Sequence, residues 1–120
     1  MTDDSEPFDG DNAAATLLKD TAALVNDSRD THGDAVENQE HIGEAWTWYL
    51  NGQGMLPDDA EITGADVARM MELLKLSRAC VGEYDVDHDR DVAGYAGIAG
   101  AVELKRGNIS EDDLTVSDDD

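Results

Sequence analysis

Apolar residues recur three or four positions apart in four stretches of the chain, which is the periodicity of an amphipathic α-helix. The predicted helices cover about 12–25, 34–50, 63–82 and 87–106. Two glycines and a proline in the segment 51–59, NGQGMLPDD, separate the second helix from the third. No stretch alternates polar and apolar residues in the way that a half-buried strand does. The pattern therefore predicts an all-α fold, a compact four-helix domain.

Polar residues stand where each predicted helix begins, and their side chains can accept hydrogen bonds from free backbone N–H groups. The predicted N-caps are Asp11 or Asn12, Asp34, Thr63 and Asp87. Thr63 and Asp66 together approximate a capping box at the start of the third helix. Gly107, just past the fourth helix, is a predicted left-handed stop. Caps and periodicity therefore agree on four helices.

The third predicted helix carries the widest apolar face of the chain. The centre of that face consists of Val67, Met70, Leu74, Ser77 and Val81. Cys80, the one cysteine, extends the face and is predicted to be a small core residue. Arg78 projects toward the same face, where its charge must either snorkel outward or be paired. So broad a face predicts a central helix that is contacted from two sides.

The second predicted helix has an acidic side and an apolar side. The apolar arc is formed by Ala35, Ile42, Trp46 and Tyr49. Asn38 falls at the edge of this arc, where a polar side chain needs a partner. Glu37, Glu40 and Glu44 lie on the opposite face, which is predicted to be solvated.

The fourth predicted helix combines an apolar face with a row of small residues. The apolar face consists of Val92, Tyr95, Ile98, Ala99 and Val102. His88 and Asp91 point along this face, whereas Asp89 and Arg90 point away from it. Glycine recurs at every third position, at Gly94, Gly97 and Gly100. Because glycine lowers helix propensity and allows close approach, we expect tight packing against one neighbour or across a homodimer interface.

The chain is strongly acidic, with 29 Asp and Glu against 8 Lys and Arg and a net charge of −21. Such a charge opposes nonspecific binding to nucleic acid and to anionic membranes. A surface that is poor in lysine and rich in aspartate resembles those of halophile proteins, because high salt screens the repulsion. Since neither a signal peptide nor an apolar run of membrane-spanning length is found, we expect a cytoplasmic location.

The charge distribution also suggests the domain organisation. Both ends carry acids without a single base. Residues 1–10 are predicted to be a flexible acidic N-terminus and residues 108–120 a disordered acidic tail. The helical domain is then predicted to cover 11–107.

The segment 85–91, DVDHDRD, places aspartates at alternate positions, as the first half of an EF-hand calcium loop does. The loop requires a glycine where Arg90 stands and a bidentate glutamate where Ala96 stands. These two departures exclude EF-hand calcium binding.

Four polar residues fall on otherwise apolar helix faces, namely Asn38, Arg78, His88 and Asp91. One interpretation is a buried polar site between the second, third and fourth helices. In that site Arg78 would bind a phosphate or carboxylate, and Asp91 would ligate a metal or act as a base. The other interpretation is a structural Arg78–Asp91 ion pair, with Asn38 bonded to backbone.

Two short motifs lie at the second helix. Residues 32–34, His-Gly-Asp, either present two functional side chains at a helix N-terminus suited to anions or form a glycine turn and a cap. Glu37 and Glu40 match the Glu-x-x-Glu half of the motif with which MazG-like nucleotide pyrophosphohydrolases hold magnesium. No Glu-x-x-Asp follows, and the helix angles place both glutamates on the polar outer face.

Three separated blocks resemble a family of uncharacterised small proteins from tailed phages and prophages. The matching residues are Arg29, His32, Gly33, Asp34, Asn38, Trp46, Asp66, Val67, Met70, Met71, Lys75, Arg78, Asp87, Asp91, Gly94 and Tyr95. The resemblance covers about 29–100, and His32 replaces the family's usual tyrosine. Together with the acidic composition, it suggests a virus or provirus of a halophilic archaeon.

The resemblance implies a viral accessory protein, located in the cytoplasm of the infected cell or associated with the virion. A remote similarity to the MazG-like enzymes implies nucleotide binding or Mg²⁺-dependent nucleotide hydrolysis. Under that hypothesis Asp87 and Asp91 are the catalytic and metal-binding residues. The substrate-binding residues are then His32, Asp34, Asn38, Lys75, Arg78 and Tyr95. The alternative is a non-enzymatic viral structural or protein-interaction module with a purely structural polar cluster, whose partners are other viral proteins or a second copy.

Overall fold

Four α-helices account for most of the chain in the computed structural model, which describes residues 7–32 and 34–116, with the side chains of 27–32 left aside. They are α1 (Gly10–His32), α2 (Ala35–Gly52), α3 (Gly64–Val81) and α4 (Val86–Lys105), followed by a short 3₁₀ turn at Glu111–Leu114. The described residues contain no strand, so the all-α prediction is confirmed. No helix of this part of the chain has the length and apolar composition needed to cross a bilayer.

The helix ends follow the sequence at three of five predicted signals. The Asp34 carboxylate accepts a hydrogen bond from the Val36 N–H at 2.9 Å, and Thr63 forms the expected capping box with Asp66. Gly107 adopts the left-handed conformation, with φ of 79°.

The predicted cap of the fourth helix is wrong, because Asp85 rather than Asp87 caps α4. Asp85 has extended backbone, so its carboxylate reaches forward to accept from the Asp87 N–H at 2.9 Å. Asp87 therefore already belongs to the first turn. α1 also begins earlier and ends later than predicted, and the Asp9 carboxylate accepts from the Asn12 N–H at its start.

The core lies mainly between α3 and α4 and is built from small side chains. Its fully or almost fully buried members are Ala65, Ala68, Ala99 and Val102. Val36, Tyr95 and Ile98 pack around them and are partly exposed. Alanines at the contact allow the two helix axes to approach closely, which is why α3 and α4 form the most extensive pair in the fold.

The face by which α3 packs differs from the predicted one. Val67 and Ala68 are buried, and the packing face continues through Met71 and Lys75. Met70 and Val81, which were predicted at its centre, are 47% and 84% exposed. The helix is therefore turned by about a quarter of a rotation from the expected orientation, because its alanine side rather than its largest side chains meets α4.

Two further predictions on these helices are wrong, and one of the two alternatives for Arg78 holds. Cys80 is exposed rather than a core residue, whereas Arg78 reaches solvent, as the snorkelling alternative expects. On α2, Tyr49 is 57% exposed although it shares an arc with half-buried Ile42 and Trp46. An arc of large apolar residues in the sequence thus predicts a larger buried surface on α2 and α3 than the structure has.

α2 crosses the start of α3 at backbone contact distance. A Cβ atom on Gly43 would lie 2.5 Å from the carbonyl oxygen of Ile62, and one on Gly64 would lie 2.9 Å from the backbone nitrogen of Glu40. The Thr47 hydroxyl joins the same contact, accepting from the Ile62 N–H at 2.8 Å and donating to the Gly43 carbonyl at 2.7 Å. Only glycine fits at these two positions.

Of the three glycines spaced along α4, only Gly94 packs against another helix among the described residues. A Cβ atom on Gly94 would be in ordinary contact with Val25 and Thr21 of α1, at 3.7 and 3.9 Å. Gly97 and Gly100 have nothing within 4 Å of the corresponding point among the described residues. A homodimer interface along this row stays a prediction, as does the disorder of the acidic ends.

We expect Gly43→Ala to destabilise the fold by about 1–3 kcal/mol, because the added methyl group meets immobile backbone atoms. Gly97→Ala should instead stabilise it by about 1 kcal/mol, since alanine favours the helix and open space surrounds the site. Urea unfolding followed by circular dichroism measures both changes. Equal effects of the two substitutions would contradict the close crossing of α2 and α3.

Candidate ligand cleft

A cleft of about 470 Å³ opens where all four helices meet. Its lining residues are Thr21, Leu24 and Val25 of α1, Ala35, Asn38 and Gln39 of α2, Lys75 of α3, and Arg90, Asp91, Gly94, Tyr95 and Ile98 of α4. The volume falls in the range of small-molecule sites, about 300–1,000 Å³. The mixture of apolar walls and a few polar groups is also typical of such sites.

Two cations and one carboxylate give the cleft its electrostatics. The Lys75 ammonium lies 3.1 Å from the Asp91 carboxylate and ties α3 to α4, with only 18% of the lysine side chain exposed. Arg90 pairs with Asp87 at 2.7 Å through one terminal nitrogen. Its Nε atom is buried and has no partner among the described residues. With Asp87 counted, the two cations and the two carboxylates balance, so this region is less acidic than the protein as a whole.

Gln39 is one of two buried polar residues that line the cleft, the other being Thr21. Gln39 is 6% exposed, and its Oε1 atom has no hydrogen-bond partner in the described part of the chain. A buried polar atom without a partner costs free energy, about 1–3 kcal/mol, unless a ligand or water satisfies it. The neighbouring Asn38 adds a second, more exposed amide to the same wall.

Aromatic and aliphatic side chains form the rest of the wall. Tyr95 and Ile98 extend from the core, against which both pack. Leu24 faces them from α1 and is 53% exposed. A flat ring placed in the cleft would therefore find apolar surface beside the two amides.

The cleft brings together four of the residues predicted from the sequence, namely Asn38, Lys75, Asp91 and Tyr95. Asp34 caps α2 and borders an adjoining smaller hollow instead. The predicted Arg78–Asp91 contact is wrong, because Lys75 pairs with Asp91 and Arg78 is exposed. The His32 side chain lies outside the described residues, so its predicted role stays a prediction.

Gln39 and Arg90 line the cleft but were not identified from the sequence as site residues. The helix angles that define the α2 arc place Gln39 inside it, beside Trp46, so a buried amide was detectable. Arg90 was predicted to point away from the apolar face of α4, yet its side chain is only 31% exposed and its Nε atom is buried. It lines the cleft because α1 packs along that flank of α4, against Gly94, and periodicity does not determine where α1 packs.

The aspartates of the segment 85–91 have four different partners. Asp85 caps α4, Asp87 pairs with Arg90 and Asp91 with Lys75. Asp89 accepts a hydrogen bond from the Tyr84 hydroxyl at 2.7 Å, and this bond raises the pKa of the tyrosine. No group of three or more His, Cys, Asp or Glu side chains among the described residues is placed to hold a metal ion.

Glu40 was predicted to face solvent, and this prediction is wrong. Its carboxylate accepts from the Gly64 N–H at 2.7 Å and pairs with Arg106 at 3.1 Å, and 17% of the side chain is exposed. Arg106 in turn pairs with Glu61 at 2.8 Å, and these bonds raise its pKa. Burial alone would raise the pKa of Glu40, but the Gly64 and Arg106 bonds outweigh it and lower that pKa.

Residues 16–103 match the family described as a domain of unknown function, DUF6378, and the chain belongs to this family. The chain is also 37% identical over 90 residues to the Gene 55 protein of Mycobacterium phage L5. That match covers 74% of this chain and 53% of the phage protein, so the chain spans about half the length of this relative. No solved structure matches the chain.

These relationships confirm the predicted kinship with an uncharacterised family of phage proteins. The origin in a halophilic archaeal virus and the remote similarity to MazG-like enzymes stay predictions. The location in the infected cell is likewise a prediction, which a relative from a phage makes reasonable.

The lowered pKa of Glu40 predicts a pH-dependent contribution to stability. Its pKa lies below the ordinary 4.5 in the folded chain, so its contribution is complete above pH 4.5 and is lost as pH falls through the folded value. We expect Glu40→Gln to lower the free energy of unfolding by about 1 kcal/mol at neutral pH. The difference from the unsubstituted chain should shrink below pH 4.5.

Denaturant unfolding across this pH range measures the difference. Glu44→Gln is the matched control, because Glu44 is exposed on the same helix beyond its first turn and should show little effect at any pH. A Glu40→Gln effect that persisted unchanged in acid would contradict the assignment.

Proposed function

We propose that the cleft binds a nucleotide and that the protein serves the phage as a nucleotide-binding accessory protein. The observation that supports this most strongly is Gln39, a nine-tenths-buried amide whose Oε1 atom has no partner and which lines a cleft that also contains two cations. A ligand that fits must carry a polar edge, a flat apolar body and a negative charge. A nucleotide has all three.

The two amides suit the edge of a nucleobase. Gln39 and Asn38 each offer one acceptor oxygen and two N–H donors, as base edges require. The Tyr95 ring, Leu24 and Ile98 supply the apolar surface against which the ring would pack. Stacking of a base on an aromatic side chain contributes about 1–3 kcal/mol.

The two cations suit the phosphate. Lys75 is paired with Asp91, and Arg90 is paired with Asp87 through one terminal nitrogen. A phosphate group could bond to the remaining donors of both side chains with charge-assisted hydrogen bonds. The net charge of −21 opposes an incoming anion at long range, so added salt should favour binding by screening it.

Hydrolysis of the bound nucleotide stays a separate prediction. Asp87 and Asp91, the predicted catalytic and Mg²⁺-binding pair, are each paired with a cation, and Asp87 does not line the cleft. The described residues offer no cluster of three ligands, although Mg²⁺ often binds through one or two carboxylates plus substrate phosphate. The proposal is therefore one of binding, and the test includes Mg²⁺ as an arm.

The alternative prediction, a non-enzymatic structural or interaction module, is supported by a different observation. Several large apolar side chains of α3 are exposed, among them Leu73 at 65%. A surface of this kind is typical of protein association. Association and nucleotide binding would use different surfaces of the chain.

Isothermal titration with nucleoside mono-, di- and triphosphates, with and without Mg²⁺ and in screening salt, tests the proposal. We expect at least one nucleotide to bind, and Gln39→Leu and Lys75→Met to weaken it by roughly tenfold or more. Gln39→Leu should leave the ligand-free fold equally or more stable, because it removes a buried atom without a partner. Pyrophosphate or phosphate release in the same mixtures tests hydrolysis.

Lys19→Met is the control, because it removes a cation from α1 at an exposed position outside the cleft. Loss of affinity in this variant to the same degree would indicate general electrostatic attraction rather than a site. The absence of heat and of thermal stabilisation with every nucleotide would overturn the proposal.

A further inference from the structure

α3 exposes a continuous apolar face on the side that turns away from α4. We call this the outer face of α3, and its residues are Met70 (47% exposed), Leu73 (65%), Leu74 (40%), Leu76 (44%), Val81 (84%) and the exposed Cys80. Together these side chains expose roughly 500 Å², which is near the upper range for the largest apolar patch of a typical monomer. A helix that stays in water does not need such a face.

The outer face lies on a segment that is far less acidic than the chain as a whole. The segment 69–82 contains three bases and one acid, while the whole chain carries −21. Two copies of so acidic a protein repel each other wherever acid meets acid. They can approach through this segment without that penalty.

The spacing within the outer face is that of a two-helix seam. Met70, Leu73, Ser77 and Cys80 follow one another at intervals of three, four and three residues, the spacing of the a and d positions of a coiled coil. Leu74, Leu76 and Val81 flank this seam on both sides. A second helix with the same pattern would fill it.

We propose that the outer face of α3 binds the outer face of α3 in a second copy, antiparallel and about a two-fold axis near residue 75. In this register Met70 faces the partner's Cys80, and Leu73 faces the partner's Ser77. Because the interface is isologous, each contact occurs twice.

Charge complementarity favours this antiparallel register. Arg69 flanks the seam and is 52% exposed, and it lies no closer than 4.0 Å to Glu103, its acidic neighbour within the chain. Antiparallel pairing places Arg69 beside the partner's Glu83, which is exposed just past the end of α3. A parallel pair would instead set Arg69 against the partner's Arg69.

The area is sufficient for a reversible dimer. Two outer faces supply roughly 1,000 Å² of apolar surface before the flanking residues are added, which is about the lower bound for a specific interface. An interface of this size opposed by the overall charge should strengthen as salt screens the repulsion.

Sedimentation velocity over a range of concentration and salt tests the association. We expect a dimer whose affinity rises with salt, and Leu73→Glu should weaken it by about tenfold or more, because it buries a charge in the seam. Trp48→Glu is the control, since Trp48 is 79% exposed on α2 and lies outside the outer face. A chain that stays monomeric at all concentrations and salts, as it would if the face served another viral protein, overturns the proposal.

Disulfide trapping tests the register. Met70→Cys should form an intermolecular bond with the partner's Cys80 on mild oxidation, because residues 70 and 80 of one copy are about 15 Å apart along the helix and cannot join within it. The unsubstituted chain should not cross-link, since the two Cys80 thiols lie similarly far apart in the dimer. Cross-linking of the unsubstituted chain, or Met70→Cys yields no higher than those of Trp48→Cys, would overturn the antiparallel arrangement.

Discussion

The crossing of α2 over the first turn of α3 is the contact on which the rest of the structure depends. Gly43 and Gly64 allow the backbones of α2 and α3 to approach closely. The Glu40 carboxylate then accepts a hydrogen bond at 2.7 Å from the Gly64 N–H, which has no partner within α3. Glu40 also holds Arg106, which follows the last turn of α4. One carboxylate thus connects α2 to the start of α3 and to the end of α4.

That crossing also determines what the cleft can contain. Glu40 faces α3, so its neighbour Gln39 lines the cleft, where its Oε1 atom has no hydrogen-bond partner among the described residues. Lys75, three turns along α3 from the crossing, reaches Asp91 across the same cleft. Structural and cleft-lining side chains are therefore neighbours on α2, and the structural contact keeps the buried amide in place.

The sequence predicts the helices far better than their contacts. Caps such as Thr63 and Asp34 bond to residues two or three positions away, so both partners of the interaction can be recognised in the sequence. The rotation of α3 depends instead on α4, whose alanines accept Ala68 more closely than they would accept Leu74. Four predicted site residues meet in the cleft because they lie on neighbouring faces, whereas Arg90 arrives there only through the position of α1.

The small core and the apolar exterior of α3 have one physical cause. When α3 turns its alanine side to α4, the pair gains close contact but buries few large side chains, so Leu73 and Val81 remain in water. A domain of this length normally obtains most of its stability from buried apolar area, and here much of that area lies outside. Covering the outer face with a second copy would recover this stabilisation without adding acid to acid, because bases outnumber acids in that segment. The orientation of one helix thus links the architecture of a single chain to the proposed association.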